Sequence, residues 1–205
     1  NFIYEFYLRI HRIHRMKELT ILLVCIIAIF IYTNYIRKSL YLSPITSSIN
    51  SKEYYVRNLP DKEIAADKLA ELSVKLTTLT DSVDSKEKKV GIERLQKYFK
   101  SDKISENIPG SLYVAYSVNK GEELSICIRE KDTEKFIDDN TITFVAVHEL
   151  AHIMSESTGH TEEFWSNMKY LLEEGSKLGI YRAVDYSQDP TIYCGMEINS
   201  TPLNL

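Results

Sequence analysis

Cysteine is scarce in this chain of 205 residues. There are three, with no CxxC pair and no Cys/His cluster, which excludes a structural zinc site of the finger or ribbon kind. Cys25 falls inside a long apolar run, so only Cys127 and Cys194 are left to pair, and the sequence leaves a disulfide and two free thiols equally open. There is no internal repeat and no low-complexity tract, which removes solenoid and compositionally biased classes. Clustered positive charge is also missing from most of the chain. Residues 41–205 carry 19 basic and 27 acidic groups, a net of −8, whereas residues 1–40 carry six and two, a net of +4. Contacts to phosphate need clustered Lys and Arg, so nucleic acid is not an expected partner.

One absence points the other way. From Leu19 to Ile36, "LTILLVCIIAIFIYTNYI", 18 residues pass without a charge. As a helix they would span about 27 Å, close to the ~30 Å hydrocarbon core of a bilayer. Arg12, Arg15 and Lys17 precede the run, Arg37 and Lys38 follow it, and Tyr32, Tyr35 and Tyr41 stand where an aromatic belt would lie. The run is longer than the centre of a signal peptide and lacks a small-residue cleavage site. The reading is a retained single-pass anchor over 19–36 and a membrane location, with the bilayer as a partner. Met16 opens "MKELTILLVC" like a translation start, which sets residues 1–15 apart from the rest. With or without them the balance of Lys and Arg differs, and orientation in the membrane stays undecided.

The expected organisation is a basic segment over 1–18, the anchor over 19–36, a polar linker over 37–58 and a folded domain over 59–205. Within the domain, Ile64, Leu69, Leu72, Leu76 and Leu79 recur near helical spacing after Pro60 and Asp61. "SKEKKVGIERLQKYF" is a second amphipathic helix, weakened by Gly91. The period then changes to two. Leu112, Val114, Tyr116 and Val118 alternate, as do Leu124, Ile126 and Ile128, and "NKGE" between them makes a hairpin turn. A charged loop, "EKDTEKFIDDN", follows. The helix 141–155, capped by Thr141 or Asn140, precedes a second helix over 161–175 with Phe164, Trp165, Met168, Leu171 and Leu172 on one face. The tail is loop with a short strand at Thr191–Ile198.

The chemistry sits in "FVAVHELAHIMSESTGHTEEFW". His148-Glu149-Leu150-Ala151-His152 is an HExxH sequence. Four residues apart on a helix means about 40° of rotation and about 6 Å of rise, so both imidazoles face one way and can hold one ion. Glu149 lies about 60° round from His152, suited to a water on the metal rather than to the metal itself. That is the arrangement for metal-assisted hydrolysis, with Zn²⁺ as the expected ion and Glu149 as the base. Such a motif arises by chance in about one chain of this length in a hundred. A helix apolar on most sides is buried, and buried His and Glu need partners, so a hydrogen-bonded pair of core histidines is the competing account.

A catalytic zinc usually has three protein ligands. His160 is eight residues past His152 and would lie ~12 Å along an uninterrupted helix, out of reach. "SESTG" favours a stop, Gly159 can take positive φ, and the chain can then fold back to present His160. Glu173 and Glu174 on the next helix are alternative third ligands, though they read more simply as a solvated face. Glu156, Glu162 and Glu163 are expected at the surface, able at best to orient an imidazole.

HELAH, then Gly159-His160, then Glu163-Phe164-Trp165 resembles the zincin subgroup of WLM-domain and SprT-like metallopeptidases, where a third histidine and an aromatic pair follow HExxH. Together with "VRNLPDKEIAADKLAEL", "YSVNKGEELSICIRE" and "YCGM", the motif is similar to membrane-anchored WLM-like proteins encoded by large DNA viruses. The resemblance implies His148, His152 and His160 as zinc ligands, Glu149 as general base and a protein or peptide as substrate. The spacing of His160 differs from the metzincin pattern, and Met196 reads as an ordinary packing residue rather than a Met-turn. Relatives in these families act on DNA-linked proteins, a role that the acidic domain argues against. No oxyanion-stabilising residue is singled out among Tyr181, Arg182, Tyr186 and Tyr193. The expected architecture is α+β, a minimal zincin-like domain behind one transmembrane helix. A non-catalytic, metal-stabilised membrane or virion protein is the rival reading.

Overall fold

A computed structural model describes residues 2–111, 113–118 and 121–203. The chain divides into two compact units, Asn1–Tyr41 and Leu42–Leu205. The first holds helix α1 (Phe2–Ile31), a π-helical turn (Tyr32–Ile36) and the short helix α2 (Arg37–Tyr41).

The anchor expected over 19–36 does not form as one α-helix. Among the described residues no helix is long and apolar enough to cross a membrane. The uncharged run starts at Leu19, but the α-helix ends at Ile31. Its last 18 residues therefore begin at His14 and include Arg15, Lys17 and Glu18. From Leu19 to Ile31 an α-helix rises only about 20 Å. Where the α-helix gives way to the π-helical turn, the Thr33 hydroxyl donates to the carbonyls of Ile29 (2.9 Å) and Phe30 (3.2 Å). Such back-bonding competes with the helical ladder and bends it. The single-pass location and the bilayer contact through 19–36 lose their basis with the anchor. Tyr35, offered as part of the aromatic belt, has a side chain outside the described residues.

The second unit is a mixed α/β fold with a small sheet and helices. It contains β1 (Leu42–Thr46), β2 (Glu53–Arg57), α3 (Lys62–Ser82), α4 (Lys89–Tyr98), β3 (Ile104–Glu106), β4 (Ala115–Val118), β5 (Glu123–Ile126), α5 (Asp139–Met154), α6 (Glu162–Lys177), β6 (Thr191–Tyr193) and β7 (Met196–Ile198). Five strands form a sheet in the order β1-β2-β3-β5-β4, and β6 pairs with β7 in a separate hairpin. The two inner pairings, β2 with β3 and β3 with β5, are parallel; the outer ones are antiparallel. β4 is thus an edge strand.

The segment 37–58, read from sequence as a linker, contributes two of the five strands. Tyr54 and Val56 point into the core while Tyr55 faces out, an alternation of period two that is too short to stand out. Pro44 is tolerated because β1 is an edge strand. The tight loop between β1 and β2 is held from α3. Asp67 accepts hydrogen bonds from Ser47 Oγ (2.6 Å), Ser48 N (2.7 Å) and Ser48 Oγ (2.7 Å).

The expected hairpin forms as β4 and β5, with Leu124, Ile126 and Ile128 all buried. Leu112, the side chain of Val118, and Asn119 and Lys120 of the turn lie outside the described residues. α3 buries Leu69, Leu72, Leu76 and Leu79 but leaves Ile64 exposed.

α5 runs through the centre of the unit. Ala146, Val147, Leu150, Ala151, Ile153 and Met154 are all inaccessible to solvent, with the sheet, α4 and α6 packed around them. Its cap is Asp138, not Thr141 or Asn140. The Asp138 carboxylate accepts from Thr141 N at 2.9 Å, satisfying one of the orphan donors of the first turn.

Candidate metal centre

α5 stops at Met154. Ser155 takes an extended conformation, and its hydroxyl returns to the carbonyl of Ala151 (2.8 Å), which closes the last turn. Arg94 on α4 donates to the carbonyl of Met154 at 3.0 Å. The chain then turns through Gly159, whose φ is +83°, a conformation that costs an L side chain about 1–2 kcal/mol. α6 opens at Thr161, whose hydroxyl accepts from Phe164 N.

This turn brings the three histidines together. His148 Nε2 lies 3.2 Å from His152 Nε2 and 3.0 Å from His160 Nε2. Phe164, fully buried, packs its ring 4.3–4.8 Å (centroid to centroid) from all three imidazoles. Trp165 stands 5.6 Å from His160 on the outside. Burial, reinforced by the neighbouring His152 and His160, pushes the His148 imidazole down to about 3, so it is neutral at physiological pH.

The donor set fits a zinc ion. Zn–N distances of about 2.0–2.1 Å around one tetrahedral ion require nitrogens roughly 3.3 Å apart, close to the two separations from His148, and the three donor atoms all lie within 4.8 Å of one another. Three ring nitrogens converging on one point repel one another when protonated and have at most weak mutual hydrogen bonds when neutral. A cation resolves both problems. Among the described residues no Asp, Glu or Cys joins the three histidines. A closed structural site would need a fourth protein ligand.

Glu149 is buried beside this cluster, on the side of β4. Burial raises its carboxyl to about 7, against the opposing pull of a hydrogen bond from the main-chain N–H of Ser117. The Glu149 carboxyl thus rests on the edge strand while the three imidazoles face the same cleft, of about 710 Å³.

A model of the WLM domain matches residues 62–189. The chain belongs to the WLM family. The WLM family is of the metallopeptidase type. An uncharacterized protein of Acanthamoeba polyphaga mimivirus is 34% identical over 183 residues, covering 87% of this chain and 92% of the relative. One from Invertebrate iridescent virus 6 is 35% identical over 69 residues, or 33% of this chain and 38% of its own length. The crystal structure of Wss1 from Saccharomyces cerevisiae is similar with a TM-score of 0.48 and 20% identity, over 60% of this chain and 87% of that one.

The remaining candidates in the WLM domain sort by position. Glu173 pairs with Lys169 and Glu174 with Lys177, both outside the histidine cluster. Glu156 pairs with Arg94. Tyr181 and Tyr186 pack on Phe144 in the core, and the main-chain N–H of Arg182 bonds to Asn140. Of the four downstream candidates only Tyr193 lines the cleft, and its hydroxyl donates to the carbonyl of Cys127 (2.8 Å). Met196 is exposed on the cleft wall, not packed beneath the histidines.

The structure adds three features to the sequence reading. Tyr113, Trp165 and Met196 form an exposed apolar rim around the cleft, and only their tertiary placement shows it. Cys127 and Cys194 are joined in a disulfide, Cα–Cα 6.5 Å, that fastens the β6–β7 hairpin to the end of β5. Cys194 and Gly195 have φ of +51° and +81°, the two left-handed positions of a tight hairpin turn. Glu163, read as a surface group able at best to orient an imidazole, binds the turn that carries His160. Its sequence signal is weak, since an acid in the first turn of a helix is ordinary.

Proposed function

We propose that this WLM domain hydrolyses peptide bonds, with one Zn²⁺ held by His148, His152 and His160 and with Glu149 as general base. The observation that carries the reading is the meeting of three imidazole nitrogens beside a buried carboxylate in an open cleft. Zinc bound there would supply Lewis acidity to polarise a carbonyl and to acidify water.

The chain's own groups do the rest. Glu149, its carboxyl raised towards neutrality by burial, takes a proton from water and passes it to the leaving amine. Ser117 N–H holds that carboxylate at the strand edge. Backbone groups alternate along a strand, so the main chain of Ala115 faces the same side as that of Ser117 and offers a ladder to an extended peptide. Val114, Val145 and Trp165 among others make the walls apolar, and no Lys or Arg lines the cleft among the described residues. A polypeptide segment with bulky apolar side chains suits these walls. Nucleic acid does not.

The test is Glu149→Gln in the full chain, with zinc content and hydrolysis of a peptide library measured together. Zinc should stay near one equivalent while turnover falls by about 10²–10⁴-fold. Hydrolysis at the unmodified rate by the Gln variant would refute the mechanism.

A further inference from the structure

The turn between α5 and α6 has few means of holding its shape. After Ser155 the residues Glu156, Thr158, Gly159 and His160 are exposed and Ser157 is half-buried, and the aromatic contacts of Phe164 and Trp165 reach only the His160 ring at the end of this stretch. Yet His160 must arrive within 3.0 Å of His148 Nε2. Polar contacts have to supply the order.

They converge on one carboxylate. Glu163, in the first turn of α6, accepts the main-chain N–H of Glu156 with Oε1 (2.8 Å). Its Oε2 accepts the main-chain N–H of Ser157 (3.0 Å) and the Ser157 hydroxyl (2.7 Å). The Ser157 hydroxyl also lies 2.7 Å from Thr161 Oγ1, the cap of α6. The start of the turn is thereby tied to its end, with His160 in the closed segment. Arg94 holds the same place from α4, through the Met154 carbonyl and the Glu156 carboxylate. Three hydrogen bonds also keep the Glu163 carboxyl well below its usual range, down to about 2, so the clasp stays ionised at any pH at which the domain would work.

We propose that Glu163 is a positioning residue for His160, acting through the main chain of Glu156 and Ser157 to set the third metal ligand. The inference rests on the histidine site proposed above. Helix-dipole stabilisation alone does not explain the geometry. Glu162 sits in the same helical turn and supplies the same charge, yet among the described residues no bond runs from it to the turn.

The experiment measures zinc affinity of the full chain by competition with a chromogenic chelator. Glu163→Ala should weaken binding by about 10–100-fold, the range for loss of a group that orients a ligand. Glu163→Gln, which keeps one acceptor oxygen, and Ser157→Ala should lose less; Glu162→Gln should bind as the unmodified chain does. In a His160→Ala background, Glu163→Ala should cost nothing further, because the ligand it positions is gone. Trp165, the only tryptophan, reports on the turn without metal, and its emission should shift in Glu163→Ala but not in Glu162→Gln. Unchanged affinity in Glu163→Ala, or an equal loss with and without His160, would overturn the assignment. An unmodified chain that binds no zinc would sink the site itself, a separate and recognisable result.

Discussion

Gly91 on α4 faces Met154, the last residue of α5, so closely that a Cβ at position 91 would stand 3.0 Å from Met154 Cγ and 3.1 Å from the Met154 carbonyl oxygen. The glycine that weakens α4 as an isolated helix lets it dock against the end of α5, the helix that carries His148 and His152. In an open helical site Gly→Ala gains about 1 kcal/mol. Here the carbonyl oxygen is held by Arg94 and cannot give way. Gly91→Ala should therefore destabilise the domain, by about 1–3 kcal/mol on the scale of overpacked sites, as read from urea unfolding. A gain in stability would show that α4 and α5 are not packed this way.

Arg129 and Glu106 form a buried ion pair, with side chains 2% and 1% exposed and Nε–Oε1 at 2.9 Å. Arg129 also reaches both oxygens of Asp61 at 2.8 Å and lies 4.1 Å over the ring of Phe136. Arg57 donates its main-chain N–H to Glu106 and its guanidinium to Glu134. Arg129→Met keeps the volume but leaves Glu106 buried without its cation. The expected cost is about 3–5 kcal/mol in chemical denaturation.

Acid should loosen the turn that carries His160. The Glu163 carboxyl ordinarily titrates near 4.5 and is held at about 2 by its hydrogen bonds in the folded state. A depressed folded value means the contribution is complete above about 4.5 and is lost as pH falls towards 2. In zinc-free protein, the melting temperature of the unmodified chain should exceed that of Glu163→Gln at neutral pH. The gap should close between pH 4.5 and the lowest pH at which the fold survives. A gap independent of pH would assign the effect to something other than the carboxylate.

The disulfide between Cys127 and Cys194 spans 67 residues. Closing a loop of that length constrains the unfolded chain, and about 2–4 kcal/mol should be lost on reduction. Thermal unfolding with and without a thiol reductant measures it. A Cys194→Ser variant should melt low in both conditions and show no response to the reductant.

Much of the site could be read from spacing alone. His148 and His152 share a face because a helix repeats every 3.6 residues, whatever surrounds it. Gly159 marks the turn because only glycine takes positive φ at no cost. The strands β1 and β2 were not legible in this way. "LSPIT" and "EYYVR" are five residues each, and their place in the sheet depends on β3, whose Ser105 pairs with Tyr55 from far along the chain. The charged residues were harder still. In sequence Arg129, Glu106 and Asp61 look like any solvated charges, and nothing periodic separates a buried carboxylate from an exposed one.

By itself, then, the order of residues determined which side chains can meet within a turn or two of helix: two imidazoles, a carboxylate beside them, and a break before the third. Tertiary structure decided what no local rule contains. It drew β1 and β2 out of the segment read as a linker and paired β2 with β3. It also placed Glu149 on the edge of β4 and closed Glu163 on the chain seven residues before it. Short-range geometry is fixed by backbone dihedrals, whereas long-range contacts are fixed by how the whole core packs.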